Sequence, residues 1–118
     1  MSGGIRVEKF DVINLLYDFY GPLLTDKQRR FIELYYAHDL SLAEVAEQVG
    51  ISRQAVYDIL KRSVKALKGY EEKLGLVAKH LENQALLDKA LWLFESDESE
   101  KMMKIRDILV QLRQREEA

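Results

Sequence analysis

Apolar residues recur along this chain at steps of three and four, the period of a helix buried on one side. Val12, Ile13, Leu16, Tyr17, Phe19 and Tyr20 predict a first helix over about Val7 to Tyr20. Gly21-Pro22 ends it, because Pro lacks an N–H and restricts the residue before it. Thr25 with Gln28 has the spacing of a capping box, which starts a second helix running to about His38 and burying Phe31, Ile32, Leu34 and Tyr35. Ser41 with Glu44 repeats the device for a short third helix with Leu42, Val45, Ala46 and Val49 on its inner side. Gly50 supplies the left-handed residue that ends this helix, and Ser52 caps a fourth, whose Val56, Ile59, Leu60 and Leu67 face the core. A bend or break is expected at Gly69 or Gly75. Beyond it, Val77, Leu81, Leu86, Leu87, Ala90, Leu91 and Phe94 mark a helix over Leu76 to Phe94. A polar connection follows, with Ser96 or Asp97 starting a last helix that carries Met102, Ile105, Ile108, Leu109 and Leu112. No strand pattern occurs, so the expected class is all-α: a helix-turn-helix domain over 5–75 and a C-terminal helical extension over 76–118.

The stretch from Ser41 to Leu67 carries the chemistry. A short helix, a tight turn at Gly50 and a second helix opening at Ser52 form the layout of a helix-turn-helix, whose second helix can enter the major groove of DNA. Ala46 sits where the two helices approach, and Ile51 is expected to plug the joint. Ser52 leaves Arg53 and Gln54 in the first exposed turn, and Tyr57 and Lys61 follow on the same side. Arg can bond guanine edges and Gln adenine edges in pairs, or either can hold a phosphate. Lys61, Arg62, Lys65 and Lys68 extend a basic face, while Lys27, Arg29 and Arg30 at the start of the second helix are placed to grip the backbone. The DNA-binding set expected is therefore Ser52, Arg53, Gln54, Tyr57, Lys61, Arg62, Lys65, Arg29 and Arg30. The plain alternative is a solvated helical face.

Charge narrows this picture. The 118 residues hold 18 basic and 20 acidic side chains, a net −2, which argues against strong nonspecific nucleic-acid binding. Any contact must come from a local patch, and Ile51 to Tyr70 supplies one, with five basic residues and the single acid Asp58. The absence of Cys excludes disulfides, thiolate metal sites and Cys nucleophiles. No apolar run is long enough to span a membrane, and a cytoplasmic protein is expected.

The segments Tyr17-Asp18-Phe19-Tyr20-Gly21-Pro22-Leu23-Leu24-Thr25, Leu34-Tyr35-Tyr36, Asp39-Leu40-Ser41-Leu42-Ala43-Glu44-Val45-Ala46 and Gly50-Ile51-Ser52-Arg53-Gln54-Ala55-Val56-Tyr57-Asp58 closely resemble the YlxM family of small bacterial proteins. The resemblance covers roughly Phe10 to Leu76. More distantly, the region looks like the fourth conserved region of sigma factors, a helix-turn-helix that holds promoter DNA. Ala55 and Asp58 stand where sigma-like recognition helices usually carry further reading residues, and the core-binding region of a sigma factor is missing. Members of the family are typically encoded beside genes of the signal recognition particle. The resemblance thus implies a regulatory protein linked to that targeting pathway.

Elsewhere the residues offer little chemistry. His38 and His80 lack ligand spacing and are expected to be exposed or at helix ends. The Glu71-Glu72 and Glu95 to Glu100 runs read as solvated, and neither an enzyme nor a cofactor is expected. Trp92, Phe94, Met102 and Met103 read as core or interface. Leu91, Phe94, Ile105, Ile108, Leu109 and Leu112 are expected to pack against a second copy as a homodimer, the alternative being a fold-back monomer. Two functions compete: a DNA-binding regulator, and a protein or RNA adaptor of the signal recognition particle that uses the helix-turn-helix as a scaffold.

Overall fold

Local cap chemistry sets where most helices of this chain begin and end. The computed structural model describes residues 10–95 and 99–117, and every regular element among them is helical. Helix α1 spans Phe10–Tyr20 and runs into a single 3₁₀ turn, Gly21–Leu23, with Pro22 in its first turn. The expected start at Val7 lies outside the described residues. Helix α2, Asp26–Ile32, opens on a complete capping box: the Thr25 hydroxyl accepts the Gln28 N–H, and the Gln28 side chain accepts the Thr25 N–H. Helix α3, Leu42–Val49, opens on the same device built from Ser41 and Glu44. Helix α4, Arg53–Leu74, follows after Gly50 and the Ser52 cap.

The second helix does not continue as an α-helix to His38. After Ile32 it widens into a π-helical turn, Glu33–Ala37, in which the His38 N–H reaches back to the Glu33 carbonyl at 2.8 Å. The wider turn rotates both Tyr35 and Tyr36 into the core, 3% exposed each, and leaves Leu34 half-buried. Phe10 lies against both tyrosine rings at centroid distances of 5.5 and 4.9 Å. Asp39 then takes a left-handed conformation (φ 57°), one that Asp tolerates better than most side chains, and turns the chain toward α3.

The chain divides into two compact units, Met1–Gly75 and Leu76–Ala118. In the first, α4 packs against α1, α2 and α3, burying Val56, Leu60, Ser63, Val64 and Leu67 against Ile13, Leu16, Tyr20, Phe31, Ile32 and Val45. Ser63 is tolerated there because its hydroxyl donates to the Ile59 carbonyl at 2.7 Å. Some expected core positions sit further out. Val12 is exposed, Leu42, Val49 and Ile59 are half-buried, and Ile51 stays at the surface rather than plugging the joint. Gly69 does not interrupt α4; the helix stops only at Gly75, whose left-handed conformation (φ 64°) forms the cap.

The second unit pairs α5, Leu76–Phe94, with α6, Glu100–Glu117. Asp88 meets Arg113 at 3.4 Å and Asn83 donates to Glu116 at 3.3 Å, so the positions rise on one helix as they fall on the other, and the pair is antiparallel. The expected starts at Ser96 or Asp97 lie outside the described residues; Ser99 Oγ accepts the Met102 N–H. Val77, His80 and Leu91 are buried, whereas Leu81, Leu86, Trp92, Leu93, Met103, Ile108 and Leu112 are exposed. Apolar side chains of α5 therefore point both inward and out. His80 also departs from expectation. It lies inside α5, 8% exposed, with Nδ1 4.0 Å from Glu116 Oε1.

Candidate nucleic-acid interface

The turn between α3 and α4 is held by one carbonyl. Ala46 O accepts the N–H groups of Gly50 (2.8 Å) and Ile51 (3.1 Å), which satisfies two backbone donors where the direction changes. Gly50 adopts φ 83°, costly for any residue with a Cβ. Ala46 is 6% exposed beneath it, small enough for the close approach of the helices. Ser52 Oγ then accepts the Ala55 N–H at 3.1 Å and fixes the first turn of α4.

That geometry aims the first residues of α4 outward. Arg53 and Gln54 are exposed. Tyr57 is half-buried, and the Lys61 ammonium stands 5.9 Å from its ring centre, within the range of a cation–π contact. Gln54, Tyr57, Lys61, Lys65 and Lys68 follow at steps of three and four, so they share one side of the helix, away from Val56, Leu60 and Leu67. Arg62 is exposed one residue round from Lys61. Among the described residues, Arg53, Lys61, Arg62 and Lys65 make no ion pair. Arg53, Arg62 and Lys65 are left to solvent, and Lys61 to solvent and the Tyr57 ring.

On α2, Arg30 and Lys27 are exposed, but Arg29 is half-buried and paired with Asp26. A neutralised guanidinium offers a phosphate less than a free one. Sequence reading also missed two polar links that brace this unit. Tyr17 donates to Glu33, and Tyr20 donates to Glu71 at 2.5 Å. Burial first, and then the bond to Glu33, push the Tyr17 phenol up to about 12. Of the other expected residues, Leu91 is buried, Phe94, Ile105 and Leu109 are half-buried, and Ile108 and Leu112 are exposed. Among the described residues no cluster of His, Asp or Glu could hold a metal ion, and no helix is long and apolar enough to cross a membrane.

Comparison with known proteins places this geometry in a family. Residues 7–109 match the UPF0122 family, described as "Putative helix-turn-helix protein, YlxM / p13 like". A UPF0122 protein of Lactococcus lactis subsp. cremoris is 50% identical over 94 residues, covering 80% of this chain and 85% of its own length. One of Desulforamulus reducens is 52% identical over 93 residues, covering 79% and 80%. One of Caldanaerobacter subterraneus subsp. tengcongensis is 56% identical over 82 residues, covering 70% of each. With residues 7–109 matched and relatives about half identical over most of its length, the chain belongs to the UPF0122 family of YlxM/p13-like helix-turn-helix proteins.

Proposed function

We propose that the protein is a DNA-binding regulator of the cytoplasm, with the amino end of α4 entering the major groove. The observation that supports this most directly is the set of exposed basic residues on α4: Arg53, Lys61, Arg62 and Lys65 are exposed and, among the described residues, without an ion pair on the helix that the Gly50 turn presents. Arg53 and Gln54 are the candidates for base edges, while Lys61, Arg62, Lys65 and Arg30 suit phosphates. Arg29, paired with Asp26, contributes less. Binding weakens steeply with salt, because each neutralised phosphate releases counterions. The test is a duplex titration of the parent and of the Arg53→Ala/Lys61→Ala variant. The variant loses binding and keeps its helical circular dichroism. Equal binding by the two proteins refutes the assignment.

A second reading is favoured by the exposed apolar side chains of α5 and α6, among them Leu86 at 66% and Trp92 at 68%. Such side chains suit a macromolecular contact. In this reading the protein is an adaptor in the signal recognition particle pathway, and α5 and α6 carry the contact with the particle's GTPase or RNA. Pull-down with the full chain and with the chain ending at Gly75 separates the two functions. Exposed Ile108 and Leu112, with half-buried Phe94, Ile105 and Leu109 and buried Leu91, support a homodimer. Light scattering that finds one copy per particle at micromolar concentration excludes it.

A further inference from the structure

We propose that Gln54 and Asp58 form a single adenine reader in duplex DNA, with Asp58 as the positioning residue that fixes the Gln54 amide. This rests on the DNA-binding reading above. Gln54 is the second residue of α4, and Asp58 lies one helical turn later on the same side. Both are exposed, and Gln54 Nε2 donates to Asp58 Oδ1 at 3.0 Å.

The chemistry of the pair removes a freedom that a lone Gln keeps. An amide can present its oxygen or its nitrogen in either direction. An ionised carboxylate can only accept, so it holds the NH2 group toward itself and forbids the flipped form. One Nε2 hydrogen is used in this bond. The other hydrogen and the Oε1 carbonyl stay open to solvent as one donor beside one acceptor. In the major groove adenine offers N7 as acceptor and the N6 amino group as donor, which this fixed pair matches. Guanine offers two acceptors there, cytosine a donor and thymine an acceptor with a methyl group, so each leaves part of the amide unmet.

Asp58 also accounts for its own presence among cations. It is the one acid between Ile51 and Tyr70, on the side of α4 that carries Lys61 and Lys65. Its charge repels phosphates and the acceptor edge of guanine. It therefore lowers affinity for any duplex while sharpening choice at one base, in line with a chain whose total charge is −2.

The test uses the full chain and random duplex DNA. Bound duplexes are selected, and each base of the preferred site is then varied in a binding titration. The parent prefers adenine at one position by about tenfold or more, the lower range for a bidentate pair. Gln54→Ala and Asp58→Ala each bring that preference to within about twofold at the same position. Gln54→Ala/Asp58→Ala matches Gln54→Ala in base preference, because Asp58 acts on that preference through Gln54. Asp58→Ala also binds random duplex more tightly than the parent. Gln54→Met, which keeps the aliphatic stem and the helix, repeats the loss. An adenine preference that survives Asp58→Ala overturns the proposal, as does a further loss when Asp58→Ala is added to Gln54→Ala. A parent that binds no duplex overturns the DNA-binding reading itself, and this one with it. That outcome is told apart because it is seen before any variant is made.

Discussion

Ser52 and Gly50 stand two residues apart and act by different physics. Ser52→Ala removes the acceptor of the Ala55 N–H and costs about 1 kcal/mol. Gly50→Ala costs a similar amount, about 1 kcal/mol, yet a Cβ there meets nothing within 4 Å; the penalty lies in the positive φ alone. Gly21→Ala is the reverse case. Its Cβ falls 2.9 Å from Tyr17 Cε1, so the ring must move, and its bond to Glu33 moves with it. Thermal unfolding of the three variants checks these costs. Tyr17 also titrates usefully. Its phenol is held protonated up to about 12 against an ordinary 10.0, so its contribution is complete below pH 10 and is lost as pH rises toward 12. Unfolding midpoints measured across that window fall more steeply for the parent than for Tyr17→Phe. Caps were legible in sequence because Thr25 with Gln28 and Ser41 with Glu44 act over three residues. Tyr17 with Glu33 and Tyr20 with Glu71 lie 16 and 51 residues apart, and no local pattern announces them.

Whole helices followed the hydrophobic period closely where one face was buried by neighbours in the same unit. α4 is the clearest case: Val56, Leu60 and Leu67 are all fully buried. Leu60→Ala is therefore expected to cost about 2–5 kcal/mol, measured by urea unfolding. The π-helical turn at Glu33–Ala37 was not legible, because Leu34-Tyr35-Tyr36 satisfies the α-helical period as written. The wider turn places two adjacent tyrosines in one core, which an α-helical period does not. Gly69 and Gly75 show the same limit. Both permit a break, and the one that breaks has a left-handed conformation, which composition does not encode. His80 departs from its expected exposure for a related reason. A polar residue among apolar ones reads as exposed until Glu116 of another helix comes within 4.0 Å.

Across the molecule, net charge and local charge point in opposite directions. The total is −2, while α4 exposes Arg53, Lys61, Arg62 and Lys65, none of which makes an ion pair among the described residues. Duplex affinity is expected to fall about linearly on logarithmic axes, with a slope of about −0.9 for each phosphate neutralised. Lys61→Ala/Lys65→Ala flattens that slope by about two phosphates' worth, which titration at several salt concentrations measures. The chain also separates its chromophores. All six tyrosines fall before Gly75, and the one tryptophan, Trp92, falls after it and is open to solvent. Tryptophan emission thus reports on α5 and its surroundings, while tyrosine absorbance reports on the helix-turn-helix. Energy transferred from one to the other becomes a built-in ruler between the two halves, read without a label attached.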